Sequence, residues 1–340
     1  MRILRVLLAF ALVVIGVVST VGSGGGGSGD FAGDLSYPLQ PPSLPLPDPP
    51  LFSWLDITAA NAQDVSATVV HATDHMFDIA TTMGGQIFPS LPAAPDLLSS
   101  HSKFELFETV VATGEPITDT CAVSGTVTVS GSPANDPVTI AVGDVFVLVF
   151  DACDDGDGYT IDSSFSLKVM ELVGDPGTDV YRLGYALLDM SLTVASSVNS
   201  YTASDSEFQL ICDSLAFPVI VLTTGAESLQ LSSQADVYSW NFGVQAITVN
   251  TDISPITTLR EARESRMKSD LLGDYLYYKT IMPLQGADNQ NPESGEILIS
   301  GNGTVRIVIE SSASVRLEID ADGDGTIDDY QYTTWAALQG

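Results

Sequence analysis

The chain has 340 residues, with 43 acidic against 12 basic side chains and a formal charge of −31. Such a field repels phosphate backbones and anionic headgroups, so nucleic acid is not an expected partner. Acidity of this order can also mean disorder, but 45% hydrophobic and only 16% charged residues call for a real core.

The N-terminus indicates the compartment. Arg2 and Arg5 form a positive start, Val6 to Val18 is an unbroken run of apolar and small residues, and Val21 and Ser23 stand at −3 and −1 of a cleavage site. Residues 1–23 therefore read as a secretory signal peptide. An uncleaved anchor is the alternative, since Val6 to Gly22 approaches the lower length for spanning a bilayer. Lipidation is not available at this junction, because the residue that would carry the acyl chains is Ser23 and not a cysteine. Periplasm, outer surface or secretion from a bacterial cell is the expected localisation.

Residues 24–52 join a Gly/Ser stretch to seven prolines between Pro38 and Pro50, a tether that is flexible and then extended. Residues 53–102 form a helical segment. Asp56 or Thr58 can cap a helix whose apolar residues Val65, Val69, Ala72, Met76, Ile79 and Met83 are spaced 4, 3, 4, 3, 4. That spacing is one helical face, and Gly84-Gly85 is the expected stop.

From residue 103 to 340 the period changes to that of strands. Alternating β-rich runs cover Gly125–Ser130, Val145–Phe150, Phe165–Glu171, Tyr181–Val194, Glu207–Cys212 and Val219–Leu222. They continue through Ser228–Leu231, Val237–Phe242, Gln245–Asn250, Tyr275–Ile281, Glu296–Ser300, Thr304–Glu310, Val315–Ile319 and Tyr330–Trp335. Short turns between them favour antiparallel hairpins over βαβ units. Residues 258–270, with Arg260, Arg263, Arg266 and Lys268 among acids, read as a short helix or a long loop with a solvated basic face. The fold expected is mainly β: a large antiparallel meander curled into an open or closed barrel, with one N-terminal amphipathic helix over a face or opening. A β-sandwich is the alternative.

Cys121 and Cys153 flank a strand–turn–strand unit and are the expected disulfide, leaving Cys212 as a buried thiol. Ser124-Gly-Thr-Val-Thr-Val-Ser-Gly131 also matches Ser294-Gly-Glu-Ile-Leu-Ile-Ser-Gly301, each followed by two strands and an Asp/Gly loop, which hints at an internal repeat. This order of motifs, from Cys121 through Val-Phe-Asp-Ala-Cys153 to Pro292-Glu-Ser-Gly-Glu-Ile and Thr-Trp-Ala-Ala-Leu338, resembles a group of proteobacterial secreted or lipoprotein-like β-rich proteins. The resemblance spans about residues 56–340 and implies an exported β fold. That group carries no assigned activity to transfer, and Ser23 departs from its lipoprotein members.

Asp320-Ala-Asp-Gly-Asp-Gly-Thr-Ile-Asp328 is the richest candidate site. Asp320, Asp322 and Asp324 take positions 1, 3 and 5 of a calcium loop, Gly325 the sharp turn, and Asp328 position 9, with the Thr326 carbonyl as a further ligand. Gln331 replaces the bidentate Glu at position 12, so the expected affinity is weak, on the order of 10⁻⁴ to 10⁻³ M. The bland reading is a polar turn between strands, since Asp and Gly are what turns prefer. A second loop with Asp154, Asp155 and Asp157 has poorer ligand spacing. On the helix, His71-Ala-Thr-Asp-His75 puts two histidines on one face and resembles His-x-x-Glu-His zinc enzymes, with Asp74 at the position of their Glu and only distant His101 as a third ligand.

No nucleophile elbow, phosphate loop or Cys-x-x-Cys occurs. The expected function is a non-catalytic cell-envelope or surface protein with a structural or binding role, calcium being its one candidate cofactor. A carrier of a lipid or other apolar ligand in a half-barrel is the alternative, and a metal-dependent hydrolase the second. The partner is an unknown envelope component or an apolar ligand, and contact with the membrane is expected only through an uncleaved N-terminal segment.

Overall fold

A computed structural model describes residues 53–89, 102–132, 139–156, 158–196, 200–226, 228–234, 236–252, 256–287 and 290–339. Residues 1–52, where the signal peptide and tether are expected, lie outside the described residues, as do His101 and Asp157. Among the described residues three helices, α1 (Ala62–Ile87), α2 (Phe104–Thr113) and α3 (Trp335–Gln339), accompany fifteen strands. These are β1 (Ile117–Thr120), β2 (Ser124–Ser132), β3 (Val145–Asp154), β4 (Tyr159–Gly174), β5 (Tyr181–Ser196), β6 (Tyr201–Asp213), β7 (Val219–Ala226) and β8 (Gln230–Ser233). They are followed by β9 (Val237–Asn250), β10 (Thr257–Ser269), β11 (Tyr275–Ala287), β12 (Ser294–Ser300), β13 (Thr304–Ser311), β14 (Ser314–Asp320) and β15 (Asp329–Thr333).

All strands belong to one antiparallel sheet whose spatial order follows the chain, as the short turns led one to expect. β7 and β8 both lie between β6 and β9, so they are two halves of one interrupted strand. No pairing joins β1 to β15 among the described residues. The sheet is thus a partial ring, neither a closed barrel nor the two packed sheets of a sandwich. Register shifts in β3, β4, β10 and β11 mark bulges, which bend a sheet locally. Gly125 shows why one end of the sheet needs glycine: its φ is +80°, and a Cβ there would lie 2.0 Å from the Ala152 carbonyl oxygen.

α1 runs inside the ring and touches β6, β7 and β9 on one side and β13 and β14 on the other. Its six apolar-face residues, Val65 to Met83, are all fully buried. Two local expectations are corrected here. The helix passes through Gly84-Gly85 and ends at Ile87, where Phe88 N donates to Gly84 O. Both glycines are buried, so stopping there would strand peptide groups away from water, which costs more than about 1 kcal/mol of poor propensity per glycine. At the other end the N-cap is Asn61, not Asp56 or Thr58. Its Oδ1 accepts from Thr58 N, and its Nδ2 donates to Asp56 O, so the amide ties down the approach to the helix.

α2 was not anticipated, since residue 103 onward reads as strand. Phe104, Phe107, Val110 and Val111 are its buried face, against β1 and β2, with the Phe107 ring 4.9 Å from that of Phe146. Residues 258–270 are also corrected: they form central strand β10, paired with β9 and β11. Two ladders of backbone hydrogen bonds outweigh the helix-like charge spacing of this segment. The proposed strands Val237–Phe242 and Gln245–Asn250 are one strand, β9, and Trp335 opens α3 instead of closing β15. The internal repeat is not a structural one. After β2 the acidic loop follows a single strand, whereas after β12 it follows two.

The disulfide Cys121–Cys153 is present, with Cα atoms 5.5 Å apart, and Cys212 is a buried free thiol. Burial pushes that thiol up to about 12, opposed by its hydrogen bond with Tyr181. An inert core cysteine follows. No described helix is long and apolar enough to cross a membrane.

Candidate cation site

The turn from β14 to β15 begins at Asp320, which is 4% exposed. Both its carboxylate oxygens are engaged: Gly323 N donates to Oδ1 at 2.8 Å and Gly325 N to Oδ2 at 2.9 Å. Gly325 has φ +90° with open space on its Cβ side, so glycine answers the backbone curl and not a steric contact. Asp322 Oδ1 accepts from Asp324 N, and Asp328 Oδ2 accepts from Ala321 N across the loop. Asp320, Asp322 and Asp328 each bring one oxygen within 4.8 Å of the others. Oxygens on opposite sides of a calcium ion, each about 2.4 Å from it, are about 4.8 Å apart, so this donor set fits a calcium ion by size and hardness.

One sequence-predicted carboxylate ligand stands apart. Asp324 is outside that group, and its Oδ1 accepts from Thr326 N at 2.7 Å. Gln331, at position 12, donates through Nε2 to Ala59 O, so the residue that replaces the bidentate Glu fastens the chain entering α1. Asn302, beside the loop, does the same: its N donates to Leu55 O and its Nδ2 to Trp54 O.

The second acidic loop is built for another purpose. Asp155 is 4% exposed at its side chain and pairs with Lys103 Nζ at 3.1 Å, while its Oδ1 accepts from Ala122 N at 2.8 Å. Asp154 Oδ1 accepts from Gly156 N. With Cys153 in the disulfide and Asp155 neutralised by a buried lysine, this loop joins the start of α2 to the cystine.

The helix histidines gain no third ligand among the described residues. His75 turns inward, its ring 5.7 Å from Tyr201 and 6.0 Å from Tyr238, and burial, helped by His71, lowers it to about 4. Asp74 instead meets Arg260 Nη1 at 3.7 Å and Gln339 Nε2 at 3.2 Å. Neither histidine belongs to a cluster of potential metal ligands among the described residues. Trp240 and Trp335 are core residues; Trp54 is half-buried and bridges to Tyr275.

Sequence reasoning missed Lys103, Arg260 and Asp78. Asp78 lies one turn beyond Asp74 on the one stripe of α1 that is not fully buried, and this spacing was readable from the helix period. Comparison with protein-family models, curated proteins and solved structures finds no match to this chain.

Proposed function

We propose that this is an exported, non-catalytic protein of the cell envelope or surface, with a structural or binding role, whose β14–β15 turn takes calcium as a clamp. The close packing of the described residues on the inner face carries this reading. α1 and α2 cover the concave face of the sheet with Val69, Met76, Ile79 and Phe107 fully buried, which leaves the outer sheet face, the turns and the edges for contact with a partner. A cleft beside Asp74, Arg260 and Trp335 has room for about one water molecule, far less than a lipid chain needs. The disulfide supports a non-cytoplasmic, oxidising compartment. Periplasm, cell surface and medium all satisfy that condition, and an unknown envelope component is the partner in each.

Calcium would join the end of β14 to the start of β15, next to the backbone of residues 54–59 that Asn302 and Gln331 hold. The test is thermal unfolding against rising calcium. The melting temperature should climb only above roughly 10⁻⁴ to 10⁻³ M, because stabilisation by mass action begins near the dissociation constant. Asp322→Ala, at an exposed position, should abolish the rise while leaving the calcium-free protein unchanged. A full rise in the variant, or none in the parent at several millimolar calcium, refutes the clamp. Fractionation of the native host, followed with an antibody, tests export separately: cytoplasmic recovery of mature protein would refute it.

A further inference from the structure

The outer face of β11–β15 differs in charge from the molecule as a whole. Ile297, Ile299, Val305, Ile307, Val315 and Leu317 point into the core, so the residues that alternate with them point out. Cross-strand pairing sets the outward residues in two rows. From β15 to β11, one row runs Tyr332, Arg316, Val308, Glu296 and Met282. The other runs Tyr330, Glu318, Arg306, Leu298 and Lys279. With Glu310 beside Arg316, three acidic side chains balance three basic ones here, in a chain whose formal charge is −31.

These charges are held in place. Arg316 Nε lies 2.9 Å from Glu310, Arg306 Nη1 lies 3.4 Å from Glu296, and both guanidiniums pair with the buried Glu318. The Arg316 guanidinium also sits 5.9 Å from the Tyr330 ring centre. On this frame stand large apolar groups in water: Tyr332 is 70% exposed, Tyr330 53% and Met282 45%. Tyrosine and methionine around fixed arginines are the makeup of a protein interface.

We propose that this face binds a second copy of the chain, outer face to outer face, about a two-fold axis running along β13. That rotation sets β15 over β11 and β14 over β12. Tyr332 then meets Met282 of the partner subunit, Arg316 meets Glu296 of the partner subunit, and Val308 meets Val308 of the partner subunit. In the second row Tyr330 meets Lys279 of the partner subunit. The contacts are thioether on ring, ion pair, aliphatic on aliphatic, and ammonium on ring. Arg306 falls near the axis and stays neutralised by Glu318 of its own chain. Net charge selects this occupant. Two molecules at −31 repel over most approaches, and the balanced face lets them meet without facing like charges. A basic partner would be drawn to the acidic remainder of the surface instead. Five strands span about 19 Å, so the contact is small and the dimer reversible.

Sedimentation equilibrium of the intact, disulfide-bonded protein tests this, in calcium-free buffer so that the outcome is separate from that of the clamp. Monomer should convert to dimer between about 10 μM and about 1 mM. Raising salt from about 10 to about 150 mM should favour the dimer, because screening removes long-range repulsion first. Tyr332→Ala, at an exposed position, should weaken it about tenfold. Glu296→Arg and Arg316→Glu should each be monomeric, since each sets like charges face to face. Mixing those two variants, both checked for folding by circular dichroism, should restore the dimer, because opposite charges again meet at both places. A parent that stays monomeric at about 1 mM, or a dimer indifferent to Tyr332→Ala, would overturn the proposal. So would a single charge variant that dimerises alone, or two folded variants that fail to dimerise when mixed.

Discussion

Replacing Lys103 by Met should be among the most damaging single changes in the chain. Lys103 is the residue before α2, its side chain 8% exposed, and its ammonium faces Asp155 at 4% exposure. Its backbone also spans the helices, since Lys103 N donates to Gln86 O in the last turn of α1. Methionine keeps the length of the side chain and removes the charge. Asp155 would then be a buried carboxylate with only the Ala122 N–H to compensate it, a loss that costs about 3–5 kcal/mol when one partner of a buried pair is removed. Urea unfolding at neutral pH, followed by tryptophan fluorescence with the disulfide intact, would measure it. Adding Asp155→Asn should recover much of the loss, because the amide is neutral and its oxygen can still accept from Ala122 N. A cost below about 1 kcal/mol, or a double variant no more stable than the single one, would show that the pair is solvated and the reasoning wrong.

Two further changes test the frame. Cys121→Ser with Cys153→Ser opens a loop of sequence separation 32 and should cost about 3–4 kcal/mol by chain entropy, measured as a drop in urea midpoint matched by reduction of the parent. Tyr278→Phe removes the hydroxyl that accepts from Trp240 Nε1 at 3.1 Å and Gln245 Nε2 at 3.3 Å beneath α1. Leaving those buried donors unpaired should lower stability by about 1–3 kcal/mol, whereas a neutral result would mean that they find another acceptor.

Much of the architecture was legible because it is written in local periods. The face from Val65 to Met83 repeats with the helix, and the strand runs repeat in twos, so each declares which side meets the core. Short turns made antiparallel neighbours the natural outcome, and the cysteines flanking β2 and β3 were paired by that geometry. The Asp320 loop was readable for the same reason, since its carboxylates are brought together by one turn of chain. Even α2 carried its signal, with Phe104, Phe107 and Val111 on one face, but ten residues beside a strand-rich stretch are too few for the period to stand out.

What only the tertiary structure decided are the features made by contacts between distant segments. β10 is a strand because β9 and β11 flank it, although its own charges suit a helix. α1 continues through Gly84-Gly85 because the ring around it excludes water. Lys103 meets Asp155 across 52 residues, and Arg260 reaches Asp74 from another element, so neither pair leaves a mark in spacing. The raised proton affinity of Asp78 belongs here as well. A carboxyl's proton affinity depends on the water and charge around it, and Asp78 is raised by burial and by Asp74 of its own helix, with Arg260 of β10 opposing.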